Sequence, residues 1–292
     1  MDISIALGGG GSRGYAHIGV LRRLESAGFH IRAVSGASAG GIVAVAYAAG
    51  YTPDEMEATF AKLDQSKLFA RSPNEGPGLL GLSEAGKFFE ELFGDQTFSD
   101  LRMPCAVVAV DLKGGREIVL SQGRVVDAIL ATIAVPGVFP PKQYGELQLV
   151  DGAVLDPVPV SVARSLAPAL PVVAVVLDIM TEATSGFISL PLPVQVPPLL
   201  VERLTRTRVA KAFNIFLQSV DVSSRNMAEL RLRVDNPEAV IRPDVDGIGL
   251  LDNVDIHQII QKGEEAANIA LPNLQRSVAW PNRLKRWMSR NV

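Results

Sequence analysis

Ser38 stands in Gly36-Ala37-Ser38-Ala39-Gly40, after the apolar run 31–34 and before the helix-like stretch 42–49. Strand, sharp turn and helix are the context that a nucleophile elbow needs. Flanking glycines let the turn tighten until the serine hydroxyl leaves the backbone, and Ala37 and Ala39 keep its approach clear. The chemistry such a serine performs is acyl transfer through a covalent intermediate. With 26 glycines in 292 residues, Gly-x-Ser-x-Gly can arise by chance, so its surroundings must carry the assignment.

An earlier glycine loop, Gly8 to Gly14, also lies between a short apolar strand and a helix. Gly9-x-Gly11-x-x-Gly14 matches a dinucleotide fingerprint, which requires an acidic residue at the end of the next strand to hold a ribose. No Asp or Glu occurs from Phe29 through Tyr51, leaving only Arg32 for a phosphate-bearing variant of that site. The competing reading is an oxyanion hole. Acyl transfer builds negative charge on a carbonyl oxygen, and consecutive glycines can aim backbone N–H groups at it beside the positive end of a helix. Arg13 would fix this loop or meet an anionic substrate.

A serine nucleophile needs a base. His17 lies on an apolar helical segment and reads as a packed residue, and His30 as an exposed loop residue. His257 completes the chain order Ser, Asp, His of the α/β-hydrolase triad, but from within a helical stretch rather than a loop. The alternative is a carboxylate acting directly. Asp151 ends a short apolar strand before Gly152-Ala153, and it reads equally as a base at the sheet edge or as an ordinary Asp-Gly turn. Asp111 and Asp178 also follow apolar strands.

The elements that position these residues read as an α/β chain. Strands are expected at 3–7, 31–34, 103–111, 117–120, 147–150, 172–177, 230–234 and 239–242. Helices are expected at about 15–27, 52–62, 83–93, 125–134, 157–166, 201–218 and 254–270. Thr52 and Glu55 are spaced as a capping box with Pro53 at the first helical position. A β-loop-α-β-elbow-α opening predicts a three-layer α/β/α fold with a mostly parallel central sheet. Consecutive parallel strands open their following loops at one edge, which brings the glycine loop and the elbow together.

Composition sets the outer bounds. The chain is 48% hydrophobic and 20% charged with a net charge of -3, so no basic excess points to nucleic acid. A single cysteine, Cys105, excludes an internal disulfide framework and sits in an apolar strand as a buried thiol. Neither a secretory leader nor an uninterrupted apolar run of about 18 residues is visible, which makes a cytoplasmic protein the default expectation. The expected organisation is one domain over 1–272 and a basic amphipathic tail over 273–292.

Gly9-Gly10-Gly11-Ser12-Arg13-Gly14, Gly36-Ala37-Ser38-Ala39-Gly40 and Asp151-Gly152-Ala153 together resemble the patatin-like phospholipase family. Ala16-His17-Ile18-Gly19-Val20-Leu21 is similar to the helix of its bacterial members, and the resemblance spans about residues 3–180. It implies a patatin-like fold and a Ser-Asp dyad hydrolase of lipid acyl esters, needing neither metal nor cofactor. Ser38 would be the nucleophile and Asp151 the base. The amides of Gly10 and Gly11, supported by Gly9, would form the oxyanion hole, with Arg13, Gly14, Gly36, Gly40 and Gly152 maintaining the motifs. The expected substrate class is a phospholipid or lysophospholipid. The competing functions are a Ser-His-Asp esterase or thioesterase and a non-catalytic lipid-binding regulator. Two stretches could meet an acyl chain or a membrane surface: the proline-punctuated apolar segment 185–200, and the tail with Trp280, Leu284, Trp287 and Met288 beside Arg283, Lys285, Arg286 and Arg290. Oligomeric state is not indicated.

Overall fold

The computed structural model describes residues 1–63, 68–72, 75–177 and 208–278. The alternation of side chains along the first strand builds the architecture. In β1 (Asp2–Leu7), Ile3, Ile5 and Leu7 enter a large core while Ala6 enters a smaller one on the opposite face. The neighbouring β2 (His30–Ala37) and β7 (Val172–Val175) run parallel to it, as β3 (Cys105–Asp111) does to β2 and β8 (Ala239–Ile241) to β7. Three shorter strands are antiparallel additions: β4 (Arg116–Leu120), β5 (Lys142–Tyr144) and β6 (Leu147–Asp151). The order across the sheet is β5-β6-β3-β2-β1-β7-β8, with β4 also paired to β3.

Helices cover both faces. The larger core lies beneath α1 (Ala16–Ser26), α2 (Ala39–Ala49), α3 (Pro53–Phe60), α4 (Ser83–Phe93), α5 (Val125–Thr132) and α8 (Ile256–Val278). The thinner one holds Val160 and Ala163 of α6 (Val160–Leu166) and Ala228 and Leu232 of α7 (Arg208–Asp235). This is the expected three-layer fold, with a sheet that is mixed rather than purely parallel. The Thr52 capping box forms as anticipated, with Thr52 and Glu55 satisfying each other's backbone amides. Where α1 crosses α8, a side chain on Gly19 would fall 1.9 Å from the Ile260 carbonyl oxygen, and one on Gly263 1.9 Å from that of Ala16. The backbones therefore meet without side chains between them.

One expected strand is absent. Residues 230–234 alternate Leu-Arg-Leu-Arg-Val, which reads as a strand, yet they form the last turns of α7. Ala228 and Leu232, four apart, face the core, while Leu230 and Val234 are 54% and 78% exposed. The helical period wins because only those two positions have a core to enter. The expected tail helix at 280–290, the apolar segment 185–200 and Asp178 lie outside the described residues, and α8 continues through residue 272 to Val278.

Candidate active site

The elbow forms as its sequence requires. Ser38 joins β2 to α2 at φ 52° and ψ −126°, a conformation that L-residues rarely occupy. The glycines on either side permit it by close approach: a side chain on Gly36 would lie 2.3 Å from the Gly40 carbonyl oxygen, and one on Gly40 2.2 Å from that of Leu7. The Ser38 N–H donates to Thr132 Oγ1 (2.9 Å), and the Thr132 hydroxyl donates to the Val108 carbonyl (2.6 Å). Thr132 thus ties the elbow to β3 from the end of α5. Nothing in the sequence around Thr132 signals this task, because its partners are 94 and 24 residues away.

Asp151 ends β6 at the same sheet edge and is 3% exposed. Burial pushes its carboxyl up to about 6, against the hydrogen-bonding pull of the Ser38 hydroxyl and of the Ala153 N–H, which donates to Oδ1 at 2.8 Å. The Asp-Gly pair is therefore not merely a turn: it presents a carboxyl within hydrogen-bonding reach of the serine. Gly152 is packed so tightly that a side chain would lie 2.2 Å from the Val108 carbonyl oxygen.

The glycine loop closes the third side. Gly8 N–H donates to Val175 O and Gly9 N–H to Pro157 O, each at 2.9 Å, so the Gly9 amide is spoken for. Among the described residues, the N–H groups of Gly10 and Gly11 have no partner. Gly11 takes φ +56°, and a side chain on Gly9 would come within 3.3 Å of Ser38 Cβ. Gly14 packs directly over Ala39, at the start of the elbow helix. The chain enters α1 through a 3-10 turn at Gly11–Tyr15, and the α-helix itself begins at Ala16, within one residue of the expected start.

The histidines take other roles. His17 is fully buried, and burial holds its ring down to about 4, so it is neutral and its Nε2–H donates to the Gly8 carbonyl (2.7 Å). It anchors the glycine loop. His30 is exposed beside Asp2. His257 is largely exposed and bonds to Glu57 in a surface cluster with Arg22, and it does not line the Ser38 cavity. Arg32 pairs with Asp2 near the N-terminal end of β2, at the sheet edge opposite the glycine loop, so the dinucleotide reading loses its last support. Asp111 closes the β3–β4 hairpin, accepting from Lys113 N–H (3.2 Å) and lying 3.6 Å from Arg116. Cys105 is buried as expected, which pushes its thiol up.

Ser38 opens onto a cavity of about 940 Å³, counting its mouth. Its walls are Ile42 and Val43 of α2, Phe60 at the end of α3 and Leu63 beyond it, Leu68 and Phe69, Phe88 and Phe89 of α4, Ile133, Val135 and Phe139 after α5, and Leu250 and Leu251. Gly11, Ser12, Gly14, Tyr15 and Ala39 complete the lining, and among the described residues no ionisable carboxylate, amine or guanidinium faces it. No metal-holding group of three or more His, Cys, Asp or Glu occurs among the described residues. No described helix is long and apolar enough to cross a membrane.

The family model for patatin-like phospholipases matches residues 5–164, which contain Ser38, Asp151 and the glycine loop. The chain belongs to the patatin-like phospholipase family. An uncharacterized NTE family protein of Mycobacterium tuberculosis is 31% identical over 289 residues, covering 94% of this chain and 48% of that one. The mouse patatin-like phospholipase domain-containing protein 6 is 29% identical over 178 residues, 56% of this chain and 13% of its own length. The chain thus spans about half the length, or less, of these patatin-like relatives. VipD from Legionella pneumophila superposes with a TM-score of 0.55 over 93% of this chain and 66% of that one, at 13% identity, which is a likeness of fold.

Proposed function

We propose that this patatin-like chain hydrolyses carboxylic esters of lipids, phospholipids or lysophospholipids, through a Ser38–Asp151 dyad. Ser38 Oγ attacks the acyl carbonyl as Asp151 takes its proton. The tetrahedral oxyanion is received by the Gly10 and Gly11 amides, and the protonated Asp151 returns the proton to the departing alcohol oxygen. Water then attacks the acyl-Ser38 ester, losing its proton to Asp151, and the carboxylic acid leaves as Ser38 recovers its hydrogen. A buried carboxyl held near 6 is a better base than an ordinary aspartate and is still ionised at neutral pH.

The observation that carries the reading is the strained Ser38 beside buried Asp151 at the mouth of an apolar cavity whose described lining carries no charge, with all three histidines engaged elsewhere. Such a cavity suits an acyl chain and leaves a polar headgroup at the rim. Peripheral contact with a lipid surface follows from that orientation and forms part of the proposal.

Fluorophosphonate labelling and turnover of a panel of phospholipids, lysophospholipids, acylglycerols and thioesters test the assignment. Wild type should label at Ser38 and release fatty acid, whereas Ser38→Ala should do neither. Near-full activity in Asp151→Asn together with loss in His257→Ala would overturn the dyad. A wild type that neither labels nor turns over would favour a binding protein.

A further inference from the structure

The groups proposed for catalysis come from residues 9–151, yet the loops that carry them are gripped by a helix more than fifty residues further along. Arg13 is 4% exposed. Its Nε donates to the Gly10 carbonyl (3.0 Å), and its own backbone N–H donates to the same oxygen (3.2 Å). Its Nη2 reaches Asp221 Oδ1 of α7 at 3.3 Å, and Asp221 Oδ2 accepts from Arg225 (2.9 Å) one turn along the helix. Three residues beyond Asp221, the Ser224 hydroxyl donates to the Ala153 carbonyl (3.3 Å), next to the peptide whose N–H holds Asp151.

Peptide planarity gives the first contact its force. The Gly10 carbonyl and the Gly11 N–H belong to one trans unit and point in opposite directions. Whatever fixes the oxygen also fixes the hydrogen. With the carbonyl held by Arg13, the Gly11 N–H points away from the guanidinium, and Gly11 lines the cavity together with Ser38. A glycine peptide is otherwise free to flip, and a flipped unit would present a carbonyl oxygen to the developing oxyanion. Arg13 has Nε for the loop only while its far end is held, and Asp221 supplies the charged acceptor there.

We infer that Asp221 is a positioning residue for the oxyanion hole, acting through Arg13 on the Gly10–Gly11 peptide. This rests on the proposed role of the Gly10 and Gly11 amides. Removing the charge leaves binding of the acyl chain in the apolar cavity untouched and lowers stabilisation of the transition state.

The test measures kcat and KM on a short acyl ester, with Tm alongside, for Asp221→Asn, Asp221→Ala, Asp221→Glu and Glu229→Gln. Glu229, further along the same helix, pairs with Arg242 just after β8, so its variant reports on helix docking alone. In the first two variants kcat should fall on the order of tenfold while KM stays within about twofold. Asp221→Glu should recover most of the loss, and Glu229→Gln should keep wild-type kcat. In an Arg13→Lys background, Asp221→Asn should add nothing further. Wild-type kcat in either neutral variant, an equal fall in Glu229→Gln, or an additive loss on Arg13→Lys would overturn the inference. An inactive wild type would instead sink the hydrolase reading beneath it.

Discussion

The two sides of the Ser38 site are made of opposite materials. Toward α2, α3 and α4 the walls are aromatic and aliphatic, with no charged side chain among the described residues facing the cavity. Toward α7 the loop contacts are ionic: Asp221 with Arg13 and Arg225, then Arg231 with Glu117 at 2.9 Å. Asp156 is fully buried on that side, and burial together with the Glu117 charge pushes its carboxyl up to about 7. The apolar side offers shape to a ligand and holds nothing in place by charge. The side toward α7 does not line the cavity, but its arginines and Ser224 hold backbone carbonyls of the two loops, Gly10, Ala153 and Leu155. A charge on the first side lacks a partner, while a neutral residue on the second strands one.

The largest expected effect falls between the two sides. Asp151→Asn should lower kcat on the order of 10³-fold, the range of a lost general base, while the purified protein still melts cooperatively. It should also melt higher than wild type above pH 6. A carboxyl whose folded pKa is raised from 3.8 to about 6 binds more protons folded than unfolded across that interval. Its ionisation therefore removes stability as pH rises through the interval, and an amide avoids the loss. In the wild type, kcat/KM should fall as pH drops below about 6, where the base becomes protonated; a flat profile from pH 5 to 8 would count against Asp151.

On the apolar side, Phe89→Ala should cost about 3–5 kcal/mol in denaturant unfolding, since Phe89 is 2% exposed. It should also shift the preferred acyl chain toward longer or bulkier esters, and unchanged chain preference would remove α4 from the binding wall. Thr132→Val should cost about 1–3 kcal/mol by leaving the buried Ser38 N–H unpaired, and should slow acylation without changing chain preference. The smallest effect is a gain. Ser38→Gly should stabilise the fold by roughly 1 kcal/mol, because glycine adopts the elbow's backbone angles without strain, while activity disappears.

The contrast also explains what could be read in advance. The glycine loop, the elbow and the Thr52 capping box are local devices whose residues lie within a few positions of one another, so spacing exposed them. So did the order of the parallel strands, which places two consecutive loops at one edge. Thr132, Asp221 and Ser224 act across 94, 208 and 71 residues, and no short-range pattern encodes such distances. The strand β5 has only three residues and little apolar signal, and it went unforeseen. Residues 230–234 mislead because their alternation mimics a strand, whereas in the helix only Ala228 and Leu232 have a core to face. Asp151 is the intermediate case: the sequence around it allows base or turn, and its burial beside Ser38 supports the base proposed above.

The bare crossing of α1 over α8 has a mechanical consequence. Gly19 and Gly263 leave the two backbones in contact, so a single methyl at either position acts as a wedge driven between the helices. The helix it would lift is the one bearing His17, whose ring is the tether on the Gly8 carbonyl. A mutation on the far side of α1, touching nothing in the cavity, would thus be transmitted as slack in the loop proposed to receive the oxyanion. This joint is a remote lever on the chemistry, hidden where only glycine marks it.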